Sequence, residues 1–233
     1  MILIGSWIWE ELGVATGVIF GAYHYSDLIP YHIHYVPLEV PFSWFIFIYI
    51  SFCLADIIIN GSLHDRTRFK RSKISEISHG IIVSLTTGVI VVGWDMVADP
   101  MGSTRCSTWI WEHNNGYFFG VPALNFFGWF WITSSFTLLY LVLEHFNPMK
   151  PFHKLSLPHA LCPIAFYCGL ILYYLLLSVP EELGFVGLMT MGMPVLLALL
   201  RLAHEKFKPK RSTAEYDPIL EASRSYDDFY HSF

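Results

Sequence analysis

Gly93-Trp94-Asp95-Met96-Val97-Ala98-Asp99-Pro100 closes an otherwise apolar run of the chain, and the sequence continues through Trp109-Ile110-Trp111-Glu112-His113 and Tyr117 to Pro122-Ala123-Leu124-Asn125-Phe126-Phe127-Gly128-Trp129. The apolar run, residues 77–97, is as long as a membrane-crossing helix, which needs about 20 such residues. Asp95 and Asp99 are four apart, so on a helix they share one face. A carboxylate at membrane depth is costly, and a pair of them marks a functional-site candidate.

Working outward, five more segments have the same character: 3–22, 41–60, 118–143, 158–179 and 183–203. The whole chain is 233 residues long, 54% hydrophobic and 14% charged, with a mean hydropathy of +0.47. That composition predicts an all-α, polytopic transmembrane bundle of about six spans, residues 1–203, followed by a polar tail over 204–233. The first segment is the weakest, because Glu10 and Glu11 interrupt it. No secretory signal peptide is expected, since that segment lacks a basic start. With six spans, 13 of the 14 Lys and Arg residues fall on one side, and only Arg105 lies on the other. The positive-inside rule then puts both termini in the cytoplasm and the 98–117 loop outside. Net charge is −5, which offers no basic face to nucleic acid. Cys53, Cys162 and Cys168 lie in apolar segments and are expected as free, buried thiols.

Several polar groups interrupt the apolar spans. Gly13, Gly17 and Gly21 form a small-xxx-small series that predicts close helix packing in span one. Glu10 lies on the Gly13 stripe and is expected to point into the bundle, with Glu11 turned about 100° away. Asp56 and Asn60 are four apart near the end of span two; pairing with Arg66 or Arg68 and direct chemistry are equally compatible with that position. Asn125, just after Pro122, is read either as an interhelical hydrogen-bonding residue or as a holder of water or a carboxylate. Trp109 and Trp111 fit an interfacial lid and an ordinary aromatic belt equally well.

Other chemistries lack their residues. The 11 histidines include His32 and His34 in one loop and are otherwise scattered, without the ligand spacing of a membrane di-iron site, so no metal is expected. There is no phosphate-cradling glycine loop and no nucleophile elbow. Asp95-x-x-x-Asp99 resembles half of the Mg-diphosphate motif of membrane prenyltransferases, but only Arg105 stands nearby to hold a diphosphate, and the pair lies on the side away from the cytosol.

Two blocks together carry a more specific likeness. The first is Glu10-Glu11-Leu-Gly13 through Phe20-Gly21-Ala-Tyr23-His-Tyr25, with Val36-Pro37-Leu and Pro41-Phe-Ser-Trp44 after it; the second is the 93–131 stretch. In order and spacing they resemble the membrane carotenoid biosynthesis protein family, whose members include bisanhydrobacterioruberin hydratase and γ-carotene 1′-hydroxylase. The resemblance implies hydration of the terminal carbon–carbon double bond of an acyclic, ψ-end carotenoid or related isoprenoid. It needs no cofactor. It also implies a lipophilic isoprenoid substrate taken from the lipid bilayer, with other enzymes of the carotenoid pathway as candidate partners.

Such a hydration begins with proton transfer to carbon from an acid in a dry site. Asp95 and Asp99 are expected to share one proton, because neither water nor a cation offsets two charges there. Asp95, the deeper of the two, is the expected acid; Asp99, before Pro100, is either its partner or a residue that orients the loop. Trp94, Tyr117, Phe126 and Trp129 are candidates to stabilise the tertiary cation through cation–π contacts. Asp99, or Asn125 acting with Glu10, would position the attacking water, and Glu11 and Tyr23 complete the expected substrate-binding set. The pocket is expected between spans one, three and four, open to the lipid. A cyclase would use the same protonation without water, and a carotenoid-binding protein would use none of it.

Overall fold

The computed structural model describes residues 1–61, 73–112, 116–146 and 157–207. Each apolar segment of the sequence is a helix: α1 (Ile2–Thr16), α2 (Glu39–Asn60), α3 (Lys73–Pro100), α4 (Ala123–Phe146), α5 (Leu157–Leu177) and α6 (Glu182–Phe207). The last five are long and apolar enough to cross a membrane. Helix α6 runs on past the expected boundary at 203. The proposed partners Arg66 and Arg68, and most of the 204–233 tail, lie outside the described residues. Among the described residues Asp56 is met by Asn60, whose Nδ2 donates to Asp56 Oδ1 at 2.6 Å.

Helix α1 ends six residues before the expected boundary. At 15 residues it is about 22 Å long, short of the roughly 30 Å of a bilayer core. The glycine series explains this and corrects its reading as a packing stripe. Gly17 has φ +66° and donates its N–H back to Gly13 C=O, so it terminates the helix in a left-handed cap. Gly21, at φ +106°, lies beyond the helix and lets the chain pass Pro122 and Trp111. Of the three, only Gly13 sits within α1, and the Phe20 ring folds back over it.

Four short strands lie at the end of the bundle where α1 and α3 finish and α2 and α4 begin. Strand β1 (Tyr23–Tyr25) pairs antiparallel with β4 (Trp109–Trp111), and β2 (His32–Ile33) with β3 (Val36–Pro37). Between α3 and β4 the chain makes a π-helical turn over Met101–Arg105, closed by Cys106 N–H on Met101 C=O at 3.1 Å. The β1–β4 pair covers this end of the bundle.

Helix α3 is central, with α2, α4 and α6 packed on it and its largest interface with α4. Small residues allow the approaches. A Cβ on Gly88 would sit 2.4 Å from Ser134 Oγ, and one on Gly93 would sit 3.1 Å from the Thr190 carbonyl. Thr190 Oγ1 fastens that crossing by donating to Gly93 C=O at 2.6 Å. Of the cysteines only Cys53 is buried. Cys162 and Cys168 are exposed on α5, where the surface of a membrane helix is apolar and accepts a thiol; Cys106 is exposed in the turn after α3.

The positive-inside rule predicts Cys106 on the outer side and the basic segments inside. A membrane-impermeant maleimide added to intact cells is therefore expected to label the protein, and Cys106→Ser is expected to abolish the label. Labelling that requires broken cells would reverse the orientation.

Candidate active site

Asp95 and Asp99 lie on the last two turns of α3, one turn apart on the face toward α4, where Asn125 occupies the first turn. The Asn125 Nδ2 group carries two hydrogens, and both are used. It donates to Asp95 Oδ2 at 2.8 Å and to Asp99 Oδ2 at 2.7 Å. Two carboxylates are thus held against one nitrogen, and all three residues are buried, at 2%, 4% and 2% exposure for Asp95, Asp99 and Asn125. Among the described residues no Lys, Arg or His forms a salt bridge with either acid.

The cover supplies the rest of the Asp99 shell. On a strand, residues i and i+2 face the same way, so Trp109 and Trp111 both point from β4 toward α3. Their indole N–H groups donate to Asp99 Oδ1 at 2.9 and 3.1 Å. Gly102 makes room for this, because a Cβ there would lie 2.1 Å from the Trp109 ring. Thr108 ties the turn to the same residue, its N–H and Oγ1 donating to Gly102 C=O at 3.0 and 2.8 Å.

Strand β1 does the same for Glu10. Tyr23 stands opposite Trp111 and Tyr25 opposite Trp109. Both phenols donate to Glu10 Oε2, Tyr25 at 2.8 Å, and Trp44 of α2 donates its indole N–H to Glu10 Oε1 at 2.7 Å. Burial, then the neighbouring Glu10 charge, holds the Tyr23 and Tyr25 phenols well above their ordinary range, so they remain donors. Glu10 is itself buried and close enough to repel both aspartates.

Donors are therefore shared unequally. Glu10 accepts three hydrogen bonds and Asp99 three, whereas Asp95 accepts one, on Oδ2. Hydrogen bonds to an ionised group are the strong ones, so the donors support charge on Glu10 and Asp99 better than on Asp95.

A row of rings runs beside the acids. Phe47 stacks on Trp94 at 3.4 Å, Trp94 meets Trp129 edge to face at 5.6 Å, and Trp129 stacks on Trp44 at 3.6 Å. In the edge-to-face contact one indole covers a face of the other, so either Trp94 or Trp129 is covered on both sides. At most one of them offers a free π-face to a cation.

The structure thus brings together Asp95, Asp99, Asn125, Glu10 and Tyr23, with Trp94 and Trp129 alongside and Phe126 half-buried against the same apolar cluster. It does not bring in Tyr117 or Glu11. Tyr117 is 90% exposed on the turn before α4. Glu11 faces the β2–β3 side, where it pairs with His34 Nδ1 at 2.7 Å and accepts the Tyr35 N–H at 3.1 Å. Sequence reasoning did not single out Tyr25 or Trp44 for the site and left Trp109 and Trp111 undecided. The signals available were the Tyr-x-Tyr and Trp-x-Trp alternations, which only a strand turns to one side.

The sequence profile of the carotenoid biosynthesis protein family matches residues 1–200, and the chain belongs to that family. No curated protein and no solved structure matches it. Family and helices together make it an integral, multi-pass membrane protein.

Glu10→Ala leaves two phenols and an indole without an acceptor, at about 1–3 kcal/mol per buried donor, whereas Glu10→Gln keeps a carbonyl oxygen in place. Thermal unfolding in detergent is expected to show a large loss for Glu10→Ala and a smaller one for Glu10→Gln. Equal midpoints for both variants and the parent would contradict this reading of the Glu10 shell.

Proposed function

We propose that this member of the carotenoid biosynthesis family is a hydratase that adds water across the terminal double bond of an acyclic carotenoid or related isoprenoid. The observation that carries the reading is the Asp95–Asn125–Asp99 arrangement. It is a buried acid pair at the end of a membrane helix, with no cation paired to it among the described residues, in which Asp99 accepts three hydrogen bonds and Asp95 one.

Asp95 is the proton donor. Its proton passes to the less substituted carbon of the terminal alkene and leaves a tertiary cation on the other. The two remaining carboxylates, Asp99 and Glu10, lie close by and supply the negative field that such a cation requires. A water attacks the cation, its oxygen forming the new C–O bond, and the released proton goes to Asp99. Transfer from Asp99 to the adjacent Asp95 restores the starting state. The sum is alkene plus water giving a tertiary alcohol, with no oxidant or reductant. A substrate of this kind is apolar along its whole length and enters from the bilayer.

The family reading alone does not choose between water capture and loss or internal quenching of the cation. The Asp99 carboxylate favours water capture, because it is an ionised acceptor beside the cation and able to take a proton from water.

Expression in cells that accumulate an acyclic carotenoid is expected to yield a product heavier by one water per reacted end. Asp95→Asn is expected to reduce it by roughly 10²–10⁴-fold, the usual loss of a general acid. An isomer of unchanged mass would assign a cyclase instead, and full turnover by Asp95→Asn would remove Asp95 from the proton-donor role.

A further inference from the structure

Neither the family nor the acid pair explains why two tryptophans from a strand outside the bundle both bind one carboxylate oxygen. Trp109 and Trp111 occupy alternate positions of β4 and converge on Asp99 Oδ1. Their orientation is imposed from three directions. Pairing with β1 sets the face; Gly102 leaves the space that the Trp109 ring fills; the Tyr23 ring, 5.1 Å from that of Trp111, backs the second indole. Trp111 is buried and Trp109 half-buried. The tryptophans of a membrane aromatic belt present their N–H groups to the headgroup region. These two present theirs to a carboxylate on a helix.

We propose that Trp109 and Trp111 are positioning residues that hold Asp99 ionised and aimed at the cation, and so decide whether the cation is captured by water or loses a proton. The inference rests on the hydratase reading. The charged neighbours of Asp99 oppose its charge: Asp95 lies one turn away on α3 and Glu10 comes from α1, while the Tyr23 and Tyr25 phenols of β1 are neutral and donate to Glu10, and the Asn125 amide from α4 is neutral too. The indole pair offsets that repulsion. It consists of donors that cannot accept, so it stabilises the ionised carboxylate and not the protonated one. With the pair removed, Asp99 takes up a proton more readily and can no longer receive one from water. The cation then ends as an alkene isomer by giving a proton back to the Asp95 carboxylate, which restores the acid.

Two readouts test this, one of them independent of turnover. Infrared titration of the purified full-length protein in lipid bilayers follows the carbonyl band of protonated carboxyl groups, and the Asp99 contribution is assigned by its loss in Asp99→Asn. In the Trp109→Phe/Trp111→Phe variant the Asp99 band is expected to appear at higher pH than in the parent, by about one unit or more per indole removed. The single Trp111→Phe variant is expected to lie between them, and it retains Trp109 should the double variant be too unstable. With substrate, the ratio of hydrated to isomerised product is expected to fall at least tenfold, while substrate consumption falls less. An unmoved Asp99 band, or a lower total rate with the product ratio unchanged, overturns the proposal and leaves the indoles a purely structural role. Parent protein that forms no hydrated product would refute the hydratase reading instead, and the infrared result would still decide whether the indoles hold Asp99 ionised.

Discussion

One carboxamide organises this end of the molecule. The Asn125 amide has two hydrogens to give, and it gives one to each of two aspartates that would otherwise repel each other, with no cation paired to them among the described residues. That constraint joins the last two turns of α3 to the first turn of α4. It also fixes where the next helix must begin and leaves Asp99 Oδ1 facing the cover. The π-helical turn after Pro100, the space at Gly102 and the two-stranded pairing of β1 with β4 follow as the route by which the chain brings indoles to that oxygen. Leucine at position 125 would fill the same volume and leave two carboxylates with nothing between them.

Charge compensation here is deliberate in its inequality. Three carboxylates are buried within reach of one another, and burying a charge is tolerable only when hydrogen bonds replace the lost water. Six donors converge on Glu10 and Asp99, from Tyr23, Tyr25, Trp44, Trp109, Trp111 and Asn125, and one reaches Asp95. In the proposed hydration, this inequality lets Asp95 lose its proton to an apolar ligand while Glu10 and Asp99 meet the positive charge that results. The aromatic row of Phe47, Trp94, Trp129 and Trp44 contributes chiefly by excluding water and by fixing Trp44 against Glu10. Its rings cover one another's faces, which leaves at most one of Trp94 and Trp129 a free π-face.

Much of this was legible in the sequence, and the boundary is instructive. Helix periodicity relates residues four apart, so the shared face of Asp95 and Asp99 and the inward direction of Glu10 could be read directly. The apolar segments predicted all six helices, with the largest misses at the end of α1 and the start of α4. The cover could not be read in this way. Tyr23 and Trp111 are far apart along the chain and meet only through strand pairing, and a three-residue strand is too short for alternation to announce itself. Tyr117 sat among the right neighbours in sequence but emerges on an exposed turn. The glycine series misled because spacing by four implies a helix, whereas the left-handed backbone at Gly17 ends one. Indole and phenol groups near a membrane end also have a common apolar use, so their role as hydrogen-bond donors became visible only once both acids were placed.

The central claim is that a buried carboxylic acid protonates an alkene and that water captures the cation. Isotopic labelling tests it most directly: turnover of an acyclic carotenoid in deuterated, heavy-oxygen water, followed by mass and magnetic resonance analysis of the product. The account predicts one new carbon-bound deuterium beside each new hydroxyl group and a hydroxyl oxygen that comes from water. Hydroxyl oxygen derived from dioxygen, or a hydroxylated product without carbon-bound deuterium, would contradict it.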